Sequence, residues 1–392
     1  MKKKKLTYSR QSVDQSDIRS VTKVLKSNYL TSGPIVKKFE LKVSLITKSK
    51  YAVSSNSATS SLHIACLALG IKKNDIVWVP SISFVATANC AAYCGAKIEF
   101  LDIDLNSFNI NIFNLENKLK EAKKKKKIPK LILVVHMAGT PIDMKKIKYL
   151  SLKYNFKIIE DASHALGSYY KNGEPVGNSK YSDISVFSFH PVKIATTCEG
   201  GISTTNSSHL YNRMKLYREH GIERNKKFFY NKNNFPLYYE QSKLGYNYRL
   251  SEIHAALGLS QIKRIKKFVK ARNKIKKFYK KNLENLPIKF QTVLKDSLSS
   301  NHLIIILVPK NLRNKLFSYL RRNMIFTNIH YIPIFYHPFY FKKKFYLVNQ
   351  NAIEYYNRAL SIPCYYELKI SDQKKIVNLL KTFFYKLNFI SK

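Results

Sequence analysis

An α/β fold with a mainly parallel sheet covered on both faces is what this sequence predicts, and three observations lead there. Between Tyr51 and Phe187, short apolar runs rich in β-branched and aromatic residues alternate with stretches of helical spacing. Of the 392 residues, 45% are hydrophobic, which supplies a sizeable core and excludes a disordered chain. After Ser251 the alternation gives way to a long basic helical stretch and a smaller mixed segment, so a second, smaller domain follows the first.

The elements follow in order. Tyr51-Ala-Val53 runs into serines and reads as the first strand, with residues 60–69 as the helix behind it. Residues 76–79 and 97–101 are strands of the same kind, followed by helical patterns at 84–93 and 115–124. Leu131-Ile-Leu-Val-Val135 is apolar throughout, the mark of a strand buried on both faces, and helix 144–154 comes next. Strands at 157–159 and 184–187 complete the set. The long helix starts at Ser251 and runs through Ile253, Leu257, Ile262, Ile265 and Phe268; strand 303–308 and helix 311–322 lie beyond it. The predicted domains are thus 1–250, a large α/β unit with an N-terminal arm, and 251–392, a small α+β unit.

Composition bounds the function. The formal net charge is +45, from 69 Lys+Arg against 24 Asp+Glu. Nearly all the excess is lysine, whereas arginine, the residue suited to bidentate base and phosphate contacts, is sparse. The densest run, Glu121 to Lys130, reads as a solvated helix end and loop. With no Arg-rich face and no winged-helix segment, the charge reads as a solvated surface, not a nucleic-acid site. No apolar run reaches the roughly 18–20 residues that cross a bilayer, so no membrane partner is expected. The basic start is not followed by the apolar segment of a secretory signal. The five cysteines are odd in number and scattered, which suits reduced thiols in a cytoplasm. Cys90 and Cys94 find no second Cys/His pair, so no metal site is expected.

Three segments carry chemistry. In Ser185-Val-Phe-Ser-Phe-His-Pro-Val-Lys193 an apolar strand ends at Ser188, and Lys193 follows in a turn with no charged neighbour before Glu199. A lysine desolvated there has a lowered pKa and forms Schiff bases, although any single lysine of so basic a chain also reads as a surface residue. Ile158-Ile-Glu-Asp-Ala-Ser-His164 sets Asp161 at the carboxyl end of a strand, where ligands bind in open α/β sheets. A carboxylate there keeps a pyridinium nitrogen protonated, the device that makes pyridoxal phosphate (PLP) an electron sink; alone, Asp161 also reads as a helix cap. Asp161 and Lys193 are 32 residues apart, which leaves room for a strand–turn–strand return that unites them. Ser54-Ser-Asn-Ser-Ala-Thr-Ser-Ser-Leu62 runs from a strand into a helix start suited to a phosphate, with an ordinary Ser/Thr cap as the bland alternative. None decides alone; together in this order they name PLP chemistry.

Further segments extend the pattern: Tyr8-Ser-Arg-Gln, Asn28-Tyr-Leu-Thr-Ser-Gly-Pro34, Asn56-Ser-Ala-Thr-Ser60, Pro80-Ser-Ile-Ser-Phe-Val-Ala-Thr-Ala-Asn89 and Glu160-Asp-Ala-Ser-His-Ala165. Ser188-Phe-His-Pro-Val-Lys193, Arg218-Glu-His-Gly221, Tyr238-Tyr-Glu240, Leu244-Gly-Tyr-Asn-Tyr-Arg249, Ala256-Leu-Gly-Leu-Ser-Gln261 and His330-Tyr-Ile-Pro333 continue it. In these motifs, nearly end to end, the chain resembles the fold-type I PLP aminotransferases of the DegT/StrS sugar-aminotransferase family, most of all its pseudaminic acid branch.

The resemblance implies a seven-stranded, mainly parallel sheet. It implies Lys193 as the Schiff-base lysine, Asp161 on the pyridinium nitrogen, and His164 beside the ring hydroxyl. Phe84, otherwise a core aromatic at a helix start, would stack on the ring. Ala58, Thr59 and Ser188 would bind the phosphate, and Asn247 would reach the phosphate of a neighbouring subunit in a homodimer with shared active sites. Tyr8, Asn28, Tyr29, Leu30, Thr31, His330, Tyr331, Ile332 and Pro333 would line a nucleotide-sugar pocket; outside the family, His330 reads as a packed loop histidine. The implied reaction moves an amino group from L-glutamate to C4 of a UDP-linked 4-keto-6-deoxy-HexNAc, with pyridoxamine phosphate as the intermediate form.

Other keto sugars, of the legionaminic acid type or with a 3-keto group, are the alternatives within the family, and a non-catalytic basic nucleic-acid-binding protein is the alternative outside it. A dehydratase of related fold has His where Lys193 stands, which disfavours that activity. Three positions depart from the family pattern: Cys198 replaces a Gly before Glu-Gly-Gly, Ile194-Ala195 replaces a more polar pair, and His254 stands where Gln is commoner. The first requires the turn after Lys193 to accommodate a Cβ.

Overall fold

Seven five-residue strands make the central sheet of the computed structural model, which describes residues 4–231 and 235–387. They are β1 (Tyr51–Ser55), β2 (Ile76–Pro80), β3 (Lys97–Leu101), β4 (Leu131–Val135), β5 (Lys157–Asp161), β6 (Ile184–Ser188) and β7 (Gly201–Thr205). The spatial order is β1-β7-β6-β5-β4-β2-β3, parallel except that β7 runs antiparallel to both its neighbours. Side chains alternate across the sheet as its pleat requires. Leu131 and Leu133 of β4 pack into one core, Ile132 and Val134 into the other, so both faces are covered.

Six strands lie where apolar runs predicted them; β7 had no such signal. Gly201-Ile-Ser-Thr-Thr205 holds one large apolar residue, yet every position is buried. Its hydroxyls find acceptors inside: Thr204 donates to the Gly177 carbonyl at 2.8 Å and Thr205 to that of Asp183 at 2.8 Å. A second difference concerns the path from Asp161 to Lys193. β5 and β6 pair in parallel, Asp161 opposite Val186, so the chain between them is a helix-free crossover and not the expected strand–turn–strand return.

Nine helices of the first three-quarters of the chain dress this sheet: α1 (Gln15–Leu25), α2 (Pro34–Thr47), α3 (Ala58–Ala68), α4 (Ala86–Ala92), α5 (Ile112–Lys124), α6 (Met144–Tyr154), α7 (Ser208–Arg218), α8 (Glu252–Gln261) and α9 (Ile265–Asn282). The lysine run behaves as expected, with α5 ending at Lys124 and Lys123 to Lys127 exposed. The single long helix expected from Ser251 is two, α8 and α9, joined by a 3-10 turn at Ile262–Arg264. Buried Glu252 opens α8, and its carboxylate accepts from the N–H groups of Gly33 (3.0 Å), Ile35 (2.7 Å) and Val36 (2.9 Å), capping the start of α2. Gly33 is obligatory there, since a Cβ would lie 2.7 Å from that of Tyr29 and 2.9 Å from the Glu252 carboxylate.

The small domain has an antiparallel sheet of β8 (Lys289–Phe290), β9 (Ile304–Leu307) and β10 (Ala359–Ile362), backed by α10 (Arg313–Arg322) and α11 (Ile370–Tyr385). Its core also takes Leu6 from the N-terminal arm, whose residues Leu6–Thr7 pair in parallel with Ile325–Phe326. The two cores change over inside α9: Phe268 and Val269 belong to the large domain, Ile275 and Tyr279 to the small one. The packing therefore carries α8 and half of α9 with the large sheet, and the division falls later than residue 250.

Candidate active site

The strand order brings the carboxyl ends of β4, β5 and β6 together, and a cavity of about 550 Å³ opens there between the two domains. Val135, Asp161 and Ser188, the last residues of these strands, line it together with Lys193, Ala58, Thr59, Phe84 and His164. From the small domain and the N-terminal arm come His302, His330, Tyr331 and Tyr8. Ten of the seventeen residues expected in the site are thus brought to one place.

Lys193 sits in the turn beyond β6, its N–H bonded to the His190 carbonyl at 2.9 Å. Burial lowers its ammonium pKa to about 8, against the opposing pull of the Asp161 charge. The same burial holds His164, His302 and His330 below the ordinary histidine range, His330 at about 3, with the Lys193 charge as a further cause in each. All three imidazoles are neutral near pH 7, and Lys193 carries the positive charge of the cavity. In cofactor-free protein its amine should react with an aldehyde or trinitrobenzenesulfonate at a rate that rises through pH 8. Below that pH the ammonium has no lone pair; surface lysines respond only near their ordinary value. Peptide mapping of the label across pH checks this, and labelling that rises only near pH 10 would count against it.

Asp161 caps no helix. One carboxylate oxygen accepts from the Thr87 hydroxyl at 2.7 Å and the other from the Ser163 N–H at 3.2 Å. Its neighbour Glu160 points to the opposite face and accepts from His136 (2.8 Å), Ser185 (2.9 Å), Tyr170 and Ser182. Burial alone would raise the Glu160 pKa, but these donors outweigh it and hold the carboxyl below its usual range. The hub locks the end of β5, and with it Asp161, to β6 and the crossover. His164 accepts the Ala138 N–H at Nδ1 (3.3 Å), so its proton is on Nε2, 3.0 Å from the Tyr331 hydroxyl. Phe84 is no core aromatic: it is 57% exposed, edges the cavity and faces Tyr331 with ring centroids 5.9 Å apart.

Opposite Asp161, α3 begins. Ser57 caps it by accepting the Ser60 N–H, leaving those of Ala58 and Thr59 without an acceptor among the described residues. Gly201 touches this helix start so closely that a Cβ would fall 2.4 Å from the Ser57 oxygen and 2.5 Å from the Ala58 nitrogen. The free N–H groups, the Thr59 and Ser188 hydroxyls and the positive end of α3 suit an anion. Such a cradle, a carboxylate across the cavity, an exposed aromatic face and a partly neutral lysine are the groups that hold PLP, so the residues fit it.

Seven expected residues lie elsewhere. Asn28, Tyr29, Leu30 and Thr31 form an exposed segment ahead of α2, and exposed Asn247 pairs its backbone with Glu219. Of the two residues after Tyr331, Ile332 is 40% exposed and Pro333 is buried, neither lining the cavity. His330 is both packed and part of the site, with Nδ1 2.8 Å from the Ser361 hydroxyl and its ring 4.8 Å from Tyr8. The sequence reading missed Thr87 and His302. Thr87 lies within the Pro80–Asn89 motif, three residues after Phe84, and that spacing was the available signal; His302, 4.5 Å from the His164 ring, had none.

The departures resolve locally. Ile194 and Ala195 are buried in the large-domain core, and His254 Nδ1 pairs with the Ser251 hydroxyl at 2.9 Å. Cys198 is exposed at φ +66°, its N–H held by the Thr196 hydroxyl at 2.9 Å. A residue with a Cβ pays a steric cost in this left-handed region. Cys198→Gly should therefore stabilise the protein by about 0.5–1 kcal/mol, and Cys198→Ala should not. Thermal unfolding midpoints of the two variants check it.

A seven-stranded, mainly parallel sheet with a lysine and a carboxylate at the ends of adjacent strands, facing a helix-start anion cradle, defines a fold-type I PLP-dependent transferase. The DegT/DnrJ/EryC1/StrS aminotransferase family model matches residues 11–381. The UDP-4-amino-4,6-dideoxy-N-acetyl-beta-L-altrosamine transaminase of Campylobacter jejuni is 41% identical over 382 residues, 96% of each chain. Helicobacter pylori PseC, an aminotransferase involved in the biosynthesis of pseudoaminic acid, superposes with a TM-score of 0.86 at 31% identity, covering 98% of this chain and 100% of its own. The PLP form of Spr1654 from Streptococcus pneumoniae gives 0.86 at 26% identity, covering 98% and 99%. The chain belongs to the DegT/DnrJ/EryC1/StrS aminotransferase family. Among the described residues no helix is long and apolar enough to cross a membrane.

Proposed function

We propose that the protein transfers the amino group of L-glutamate to C4 of UDP-2-acetamido-2,6-dideoxy-beta-L-arabino-hex-4-ulose, a UDP-linked 4-keto-6-deoxy-HexNAc, as a cytoplasmic step of pseudaminic acid biosynthesis. The observation that carries this reading is the near full-length 41% identity to a transaminase named for that amino sugar. The cavity supports it with the groups such a transfer needs. When bound, PLP supplies a ring that accepts the electron pair left on the donor's α-carbon.

The chain's own residues do the rest. Asp161 would face the ring nitrogen and hold its proton, and Phe84 would cover one face. Ala58, Thr59 and Ser188 would bind the phosphate. Lys193 holds the cofactor between turnovers and, once free, moves the proton from the donor's α-carbon through Nζ; a pKa of about 8 leaves part of it neutral at pH 7. Neutral His164, with Nε2–H toward Tyr331, adds no competing charge.

Asn28 to Thr31 and Asn247 lie outside their own chain's cavity, which supports a homodimer in which each subunit completes the other's site, Asn247 serving the partner's phosphate. A closed two-fold pair is the simplest such assembly. Mixing Lys193→Ala with Asn247→Asp subunits, each inactive alone, should restore activity in one site of the heterodimer, since both lesions fall in the other. No recovery after verified subunit exchange would overturn the sharing. The substrate itself is tested with a panel of UDP-4-keto and UDP-3-keto sugars and L-glutamate. The named sugar should give the highest kcat/KM, and preference for a 3-keto or differently configured sugar would replace it.

A further inference from the structure

Asp161 is held by a hydroxyl that is itself held by another. Thr87, fully buried on α4, donates from Oγ1 to one Asp161 oxygen at 2.7 Å, and the same Oγ1 lies 2.7 Å from the hydroxyl of buried Ser83. A hydroxyl has one proton, and an ionised carboxylate only accepts. The Thr87 proton is therefore spent on Asp161, and Ser83 is the donor to Thr87. Ser83 and Thr87 bracket Phe84, and the Thr87 N–H bonds to the Phe84 carbonyl at 3.1 Å. One turn of chain thus places the aromatic face on the cavity side and a donor chain behind the carboxylate.

We propose that Ser83 and Thr87 form a two-hydroxyl relay that orients the Asp161 carboxylate, which makes Thr87 a positioning residue for the transfer. The proposal rests on the reading above, in which Asp161 partners the ring nitrogen of PLP. A carboxylate that accepts a buried, charge-assisted hydrogen bond is less basic than one without it. Removing the Thr87 hydroxyl takes away the donor that fixes the carboxylate where it would meet the ring nitrogen. It also frees the carboxylate to turn. Lys193 and Tyr331 both feel the Asp161 charge, and neither bonds to Thr87.

The test is the PLP-loaded protein with Thr87→Val, Thr87→Ser and Ser83→Ala. Thr87→Val keeps shape and loses the donor, so the visible band of the bound cofactor should titrate about one pH unit higher than in the wild type. Its kcat should fall on the order of tenfold to a hundredfold with KM for L-glutamate within about threefold, the loss expected of one hydrogen bond to a charged group. Thr87→Ser restores the donor and should return both values to near wild type. Ser83→Ala should shift the band in the same direction by less, and it keeps the question open to measurement if the valine variant does not fold. An unmoved band in Thr87→Val, or equal losses in Thr87→Val and Thr87→Ser, would show that Thr87 only packs and would overturn the relay. Asp161→Asn with a wild-type band and titration would instead remove Asp161 from the ring nitrogen, and the functional reading with it.

Discussion

Replacing Lys193 with alanine should abolish turnover, by about 10⁴-fold or more, while the protein still folds and binds pyridoxamine phosphate. In the proposed reaction two functions sit on one nitrogen, covalent attachment and proton transfer at the α-carbon, and their loss together is not made up elsewhere. The protein is rich in lysine, yet Lys193 is the one lysine among the described residues that line the cavity, so no neighbour can substitute. The anion cradle at Ala58, Thr59 and Ser188 does not depend on the Lys193 side chain, which is why binding survives. Steady-state rates with L-glutamate and the UDP-4-keto sugar measure the loss. Borohydride treatment of the wild-type holoenzyme should attach the cofactor to Lys193 and nowhere else. Label on another lysine, or residual activity above about one part in a hundred, would remove the central assignment.

Asp161→Asn should leave the cofactor bound and slow the first half-reaction on the order of 10²–10³-fold. The substitution keeps the size of the side chain and can keep the Thr87 contact, but it removes the negative charge that favours a protonated ring nitrogen. A charge-assisted contact in a desolvated site contributes a few kcal/mol to the transition state, and about 1.4 kcal/mol is tenfold in rate. An aldolase-type lysine enzyme has no ring nitrogen to serve and would not feel the change. Single-turnover decay of the visible band with L-glutamate in both proteins decides the matter. Decay at the wild-type rate in the Asn variant would take the site away from Asp161.

Much of this protein was legible before any coordinates. Six of the seven strands announce themselves as apolar runs, the usual composition of strands in a parallel sheet covered on both faces. The placement of Lys193 and Asp161 in one cavity was legible for a different reason: Asp161 ends its strand and Lys193 follows the end of the next, the place where an open parallel sheet binds ligands. The strain at Cys198 could also be anticipated, from a Cβ in a turn where the family has glycine.

The tertiary structure alone decided the rest. β7 is invisible to a hydrophobicity pattern because its buried serine and threonine hydroxyls are satisfied by carbonyls far along the chain. The donor to Asp161 stands 74 residues away at Thr87, and the carboxylate capping α2 comes from Glu252, more than 200 residues on. The break between α8 and α9 and the change of core within α9 depend on which domain each turn meets. The placement of Asn28 to Thr31 outside the cavity follows from that same Glu252 cap, which holds the start of α2. A sequence reports periodicity and local chemistry, since these act over a few residues. Hydrogen bonds between distant segments depend on how the layers stack, and only the folded chain brings their partners within 3 Å.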